Sequence, residues 1–222
     1  MRLLAIDTAS EACSVGIVVG ERTVLRTENA GRAHAERLMG MIEAAAGEAG
    51  LTVSDIDRIA VTVGPGSFTG VRIGIAAARG LALVTGAEMV GISTLAVHAE
   101  DARTTAGALP VLAVIVAGRG ELYGAVYEAD GHETSPPRAA SAQTFAALVA
   151  ADTVLAGSGA DLIVAALPMD LRPAIAHRAA APDIAALCRL GLSAAPQREP
   201  PRPLYLRAPD ARPQAAEQIA RR

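Results

Sequence analysis

The chain has 222 residues, 51% of them hydrophobic, and a formal net charge of −3, enough to bury a substantial core as one domain or two small ones. That charge excludes the basic footprint of an independent nucleic-acid binder. All 20 cationic residues are arginine, and the lack of lysine removes P-loop, Schiff-base and lysine general-base chemistry together.

Residues 2–6, 12–19 and 22–28 read as three successive strands, the last two joined at Gly20-Glu21, a glycine-first pair suited to a type II′ hairpin. Leu38, Met41, Ile42, Ala45 and Ala49 recur at helical spacing and predict a helix over 34–49. A buried strand follows at 58–63. Gly64-Pro65-Gly66 breaks it, and Ser67 or Thr69 caps a helix from about Gly70 toward Thr85. Glu88–Ile92 reads as a strand, and Ser93 or Thr94 caps a short helix through about Ala102. The second half echoes this order. Val111–Val116 and Glu121–Glu128 read as a strand pair, with a third strand near 134–140. Ser141 caps a helix at 142–150, Thr153–Ala156 is a strand, and Gly157-Ser158-Gly159 leads into a helix at 160–167. Three strands followed by alternating helix and strand, twice over, predict two similar α/β lobes with a cleft between them. The Pro- and Arg-rich stretch 194–213 reads as a solvated tail, within which Leu204-Tyr205-Leu206 is apolar enough to dock on the body. The last ten residues, PQAAEQIARR, read as a short polar helix or a frayed end.

The loop Gly64, Pro65, Gly66, Ser67, Phe68, Thr69, Gly70, with Arg72 just beyond, offers bare backbone N–H groups at a helix start, suited to an anion or nucleotide contact. A tight strand-to-helix connector is the other account. Asp7, Thr8 and Ser10 end the first strand where nucleotide-binding folds of this pattern cradle phosphates, but Thr8 and Ala9 stand where a glycine is usual, and turn hydrogen bonds explain them equally well. The Gly157/Gly159 pair is a weak motif on its own. Cys13 and Cys188 form no CxxC, and the four histidines (His34, His98, His132, His177) lack i, i+4 pairing, so no metal site is expected. No Ser–His–Asp or Cys–His set can be assembled. No uncharged apolar run reaches the ~20 residues of a membrane span, and the N-terminus resembles no signal peptide; the expected location is the cytoplasm. The 70–85 helix is apolar or small on every side apart from Arg72 and Arg79. A helix of that kind must be covered all round, either by a partner on the face its own sheet leaves free or, within the chain, by the second lobe.

AIDTAS, RAHAERL, VGPGSFTGVRIG, GISTLAVHAE, GELYGAVYE, AGSGAD and PLYLR occur in this order over nearly the whole chain. In this the chain resembles the bacterial TsaB (YeaZ) family. The resemblance implies an α/β fold of two actin/Hsp70/sugar-kinase-like lobes of βββαβα topology, the second reduced: an N-terminal lobe over 1–105, and a smaller C-terminal lobe over 106–222 whose tail can pack back on the first. It implies a non-catalytic scaffold or activating subunit for threonylcarbamoyl transfer to the tRNA adenosine following the anticodon. The implied partners are a TsaD paralogue and the TsaE ATPase, with a homodimer in isolation, tRNA only within the complex and no membrane. Residues matching the family's dimer helices are His34, Arg37, Leu38, Met41, Ile42 and Ala45 on one side, and Ile75, Ala76, Ala77, Arg79 and Leu83 on the other. No metal or certain cofactor is implied, and at most a vestigial ATP or ADP contact. Two departures point away from chemistry. Thr94 and His98 stand where TsaD-like relatives carry an HxxxH metal pair, and Val116-Ala117-Gly118 followed by Arg119 replaces the usual Asp-Ala-Arg. An ATP-dependent phosphotransferase of the same superfamily is the alternative reading; a metalloprotease, suggested only by the group's older glycoprotease-like description, fits least.

Overall fold

Alternation of apolar side chains builds the first sheet. β1 (Arg2–Asp7), β2 (Ala12–Val19) and β3 (Arg22–Asn29) form an antiparallel meander, and β4 (Arg58–Thr62) and β5 (Glu88–Ile92) add in parallel beyond β1, in the order β3-β2-β1-β4-β5. The structure is a computed structural model that describes residues 1–118 and 120–206. Successive strand residues face opposite sides of a sheet. Leu4, Ile6, Val15, Ile59 and Val61 turn to one side, where they meet α1 (His34–Glu48) and α2 (Phe68–Thr85).

The second sheet repeats the plan. β6 (Val111–Gly118), β7 (Glu121–Tyr127) and β8 (Glu133–Ala140) are antiparallel, and β9 (Val154–Ala156) and β10 (Ile175–His177) add in parallel, in the order β10-β9-β6-β7-β8. Position for position this is the topology of the first sheet, the duplication expected of the actin/Hsp70/sugar-kinase class. Pro136 and Pro137 lie in β8, an edge strand, where a missing N–H costs the ladder least. α4 (Ala142–Ala146) and α5 (Ala160–Ala166) cover its outer face through Phe145, Ala160 and Ile163. α3 (Thr94–Ala106) is shared. Leu95, Ala99 and Ala102 pack on the second sheet, while Val97 packs on the first.

The segment 168–193 holds two elements that pattern reading missed: β10, and α6 (Ile184–Ser193). α6 returns to the first sheet and lays Ile184, Leu187 and Cys188 against Leu3, Ala5 and Ala60. Arg58 fixes its end. The guanidinium pairs with Glu88 at 2.6 Å and donates to the carbonyls of Gly191 and Ala194 at 3.0 and 2.9 Å. Two boundaries also differ from the sequence reading. The helix expected over 142–150 stops at Ala146, because Leu148 and Val149 bond back three residues and the Ala150 N–H goes to the Thr153 hydroxyl. α3 runs on to Ala106, where Gly107 ends it at φ +85°. Cys13 and Cys188 are free and buried, and burial pushes their thiols up to about 11 and about 12.

The Leu204-Tyr205-Leu206 stretch docks as expected. After α6 the chain runs as a strap along β5 and α2. Gln197 exchanges two hydrogen bonds with the Gly91 backbone, Pro201 is buried against Gly91, and the Leu204 N–H donates to the Val63 carbonyl at 2.7 Å. The final ten residues and Arg119 lie outside the described residues.

Candidate functional site

Ser67 is the cap of α2, its hydroxyl accepting from the Gly70 N–H at 3.2 Å. The glycines around it serve contact within the chain. The Ser67 N–H donates to the Ala9 carbonyl at 2.7 Å, and the Thr8 hydroxyl donates to the Gly70 carbonyl at 2.7 Å. A Cβ on Gly66 would overlap the Ala9 carbonyl, one on Gly70 the Thr8 carbonyl, and one on Gly74 would sit 2.5 Å from the Thr8 hydroxyl. The four-residue glycine period therefore seats α2 on the Asp7–Ser10 turn, and the chain's own oxygens fill the space on that side of the loop.

Asp7 is 2% exposed. One carboxylate oxygen accepts from the Thr62 hydroxyl at 2.6 Å and from the Ala9 N–H at 3.0 Å, while the other has no partner. Burial pushes its pKa above the usual carboxylate value, against the two hydrogen bonds. Beside this turn a cleft of about 680 Å3 opens between the lobes, lined among others by Ser10, Glu11, Ser67, Val116, Tyr123 and Ser158. Glu11 is the charged residue of that lining among the described residues, the wrong sign for a polyphosphate. The Ser158 hydroxyl is already engaged by the Val116 N–H at 3.1 Å. A Cβ on Gly157 would overlap the Val114 carbonyl, so this glycine too serves packing. Phosphotransfer needs cations or oriented donors around the moving phosphoryl group; the described lining holds no cation, and its side-chain donors are the hydroxyls of Ser10, Ser67, Tyr123 and Ser158.

Thr94 and His98, the degenerate metal positions, are both buried at the junction of the lobes, and the Thr94 hydroxyl and both His98 ring nitrogens have no hydrogen-bond partner. His98 stacks on His177 of β10 with centroids 5.2 Å apart, and His177 lies 3.5 Å from Asp101. Among the described residues no three His, Cys, Asp or Glu side chains are grouped to hold a metal. Burial, with His177 close by, holds His98 down at about 3. An unfolded histidine titrates near 6.5, so below that pH the unfolded chain takes up a proton that the folded chain refuses. Stability is expected to fall as pH drops from about 6.5 toward 3, by about 1.4 kcal/mol per pH unit from this group. Thermal melting of His98→Leu beside the parent across that range checks this; the variant should have the flatter profile.

The residues expected at a partner contact divide into two sets. Leu38, Met41, Ile42, Ala45 and Ile75 are at most 5% exposed and form the protein's own core, so they are not on the outward surface. His34 is buried as well, its Nε2 3.2 Å from the Ala12 carbonyl. Arg37 is exposed and lies 3.4 Å from Glu28. On α2, Ala76, Gly80, Leu83 and Val84 face outward, with Leu83 and Val84 87% and 82% exposed, and Ala77 is half-buried. Met39 of α1 is 40% exposed. Helical spacing by itself located the apolar side chains but could not say which of two apolar faces the sheet would take. α2 is long and apolar enough, by length and composition, to cross a membrane; here it lies along the first sheet through Val71, Gly74, Ile75 and Ala78.

A family model described as TsaD, tRNA N6-adenosine threonylcarbamoyltransferase, matches residues 25–198. The tRNA threonylcarbamoyladenosine biosynthesis protein TsaB of Escherichia coli (strain K12) is 45% identical over 130 residues, 59% of this chain and 56% of that protein. YeaZ from Pseudomonas aeruginosa superposes with a TM-score of 0.78 at 33% identity, over 92% of this chain and 99% of that one. The chain belongs to the TsaB/YeaZ family. An uncharacterized protein of Mycobacterium bovis is similar over nearly its full length, at 38% identity across 96% of this chain and 95% of its own. In its match to E. coli TsaB the chain spans a little over half of that relative's length.

Proposed function

We propose that this member of the TsaB/YeaZ family is a non-catalytic scaffold subunit in tRNA threonylcarbamoyladenosine synthesis. It supports threonylcarbamoyl transfer by a TsaD paralogue, with TsaE as the ATPase, in the cytoplasm where the tRNA is. The observation that carries this reading is α2, an 18-residue helix without a carboxylate whose outward stripe of Ala76, Gly80, Leu83 and Val84 stays uncovered. Contiguous apolar surface of this kind marks a protein contact, and its small residues admit a second helix at short range. The pattern suits an α-helical partner, whether a second copy in isolation or the TsaD paralogue in the working complex. The cleft agrees: its packing glycines, lone Glu11 and protected Asp7 suit a fold retained for its surfaces.

The test is reconstitution. The purified protein alone is expected neither to transfer threonylcarbamoyl nor to hydrolyse ATP, and transfer by TsaD with TsaE should require it. Full transfer with this chain omitted would refute the reading. Ala76→Arg places a cation on an exposed helix position, so the monomer should keep its melting temperature. In an apolar interface the same charge is buried without a partner and costs about 3–5 kcal/mol, a loss of two orders of magnitude or more in association. Sedimentation checks it, and association equal to the parent's would move the interface off α2.

A further inference from the structure

The seam between α2 and the strap holds arginines whose partners are neutral oxygens. Several other arginines meet carboxylates: Arg2 with Asp57, Arg26 with Glu48, Arg58 with Glu88, Arg178 with Asp161. Arg72 and Arg79 do not. Arg72 Nε donates to the Tyr205 hydroxyl at 2.7 Å, and Arg79 donates to the Pro201 carbonyl at 2.7 Å. Both are exposed and stand two turns, about 10.5 Å, apart along α2. Neutral oxygens hold them in place and leave their charge uncompensated. α2 and the strap over 194–206 together contain Arg72, Arg79, Arg198 and Arg202 against the single acid Glu199, which lies 3.2 Å from Arg202, in a chain whose net charge is −3.

The same seam exposes aromatic rings. The chain has only two phenylalanines, three tyrosines and no tryptophan, and Phe68 and Tyr205 are 54% and 49% exposed. Their centroids lie 5.4 Å apart, and the Arg72 guanidinium lies 3.7 Å over the Phe68 ring. Half-exposed rings beside a guanidinium plane form a stacking platform for unpaired bases, and positioned arginines without acidic partners bind phosphates.

We propose that this seam is an RNA contact, with Arg72, Arg79 and Arg198 on phosphates and the Phe68–Arg72–Tyr205 cluster against a base. On the function proposed above, which this inference deepens, the RNA is the substrate tRNA. An acidic protein would match the arginines and leave the rings unused, whereas RNA uses both.

The experiment measures binding of a fluorescent tRNA transcript across a salt series, with the isolated protein and with its TsaD complex, for the parent, Arg72→Gln/Arg79→Gln and Phe68→Leu. The double variant is expected to bind tRNA at least tenfold more weakly, with a log–log salt slope smaller by about one per arginine removed. Phe68→Leu should weaken binding about fivefold or more at unchanged slope. Melting temperatures within a few degrees of the parent's separate this from strap release. Parent-like affinity and slope in both variants overturn the proposal. So does a double variant that loses the TsaD paralogue while keeping its tRNA affinity, which identifies a protein contact. A parent that binds no tRNA, alone or with TsaD, overturns the seam, whereas failure to join TsaD while still binding tRNA counts against the scaffold reading alone.

Discussion

Replacing Arg58 with alanine is expected to destabilise the protein by about 3 kcal/mol, the low end for breaking a buried, hydrogen-bonded ion pair, because the Glu88 side chain is 35% exposed. Arg58 is 7% exposed, and its guanidinium serves two ends of the structure at once. Nε and Nη2 hold Glu88 at 2.8 and 2.6 Å, and Nη1 reaches the carbonyls of Gly191 and Ala194 at the last turn of α6. Those carbonyls have no intrahelical partner, and the negative end of the helix dipole favours a cation there. Alanine strands all of these acceptors together. Lysine restores a charge but not the fork, so Arg58→Lys should recover only part of the loss. Urea denaturation measures both; for a chain of this size the alanine variant should melt about 10 °C lower. A loss below about 1 kcal/mol would show that α6 is held by its apolar face alone.

Gly70→Ala is the second large effect. The added methyl must displace the Thr8 carbonyl, which is backbone in a buried turn and cannot rotate aside. Overpacking of this kind costs about 1–3 kcal/mol and more where backbone must move, and the upper end is expected because the Thr8–Gly70 hydrogen bond is disturbed as well. Gly80→Ala is the matched control on the same helix. Nothing lies within 4 Å of a Cβ there, so the higher helix propensity of alanine should raise stability by up to about 1 kcal/mol. Opposite signs at two glycines ten residues apart would confirm that Gly70 is a contact glycine. A neutral Gly70→Ala by chemical denaturation would reopen the loop as space for a ligand.

The strands of the first lobe, its Gly20-Glu21 hairpin and the cap at Ser141 were legible in the sequence, with the caps of α2 and α3 narrowed to Ser67 or Thr69 and Ser93 or Thr94, because alternation, turn chemistry and cap residues are local signals. β10 was not, since three residues carry no period. α6 did leave a trace: Pro182-Asp183 is a helix start, and Ile184, Leu187, Cys188 and Gly191 follow at helical spacing. The surrounding Ala- and Pro-rich segment masked it. What each site residue does was the least legible. Gly70 meets Thr8 across 62 positions of sequence and His177 meets His98 across 79, and no local pattern encodes such pairs. The glycine loop read either as an anion contact or as a tight strand-to-helix connector, and the sequence could not say whether a phosphate or a neighbouring turn took the space.

The position of α6 sets an order on synthesis. The first sheet is complete in sequence by Ile92, but the helix that covers Leu3, Ala5 and Ala60 begins only at Ile184. At roughly 5–20 residues per second, a ribosome leaves that apolar face bare for several seconds while the whole second lobe emerges. The first lobe therefore finishes folding last, and a transcript truncated before α6 yields a chain with an exposed sheet rather than a smaller stable protein.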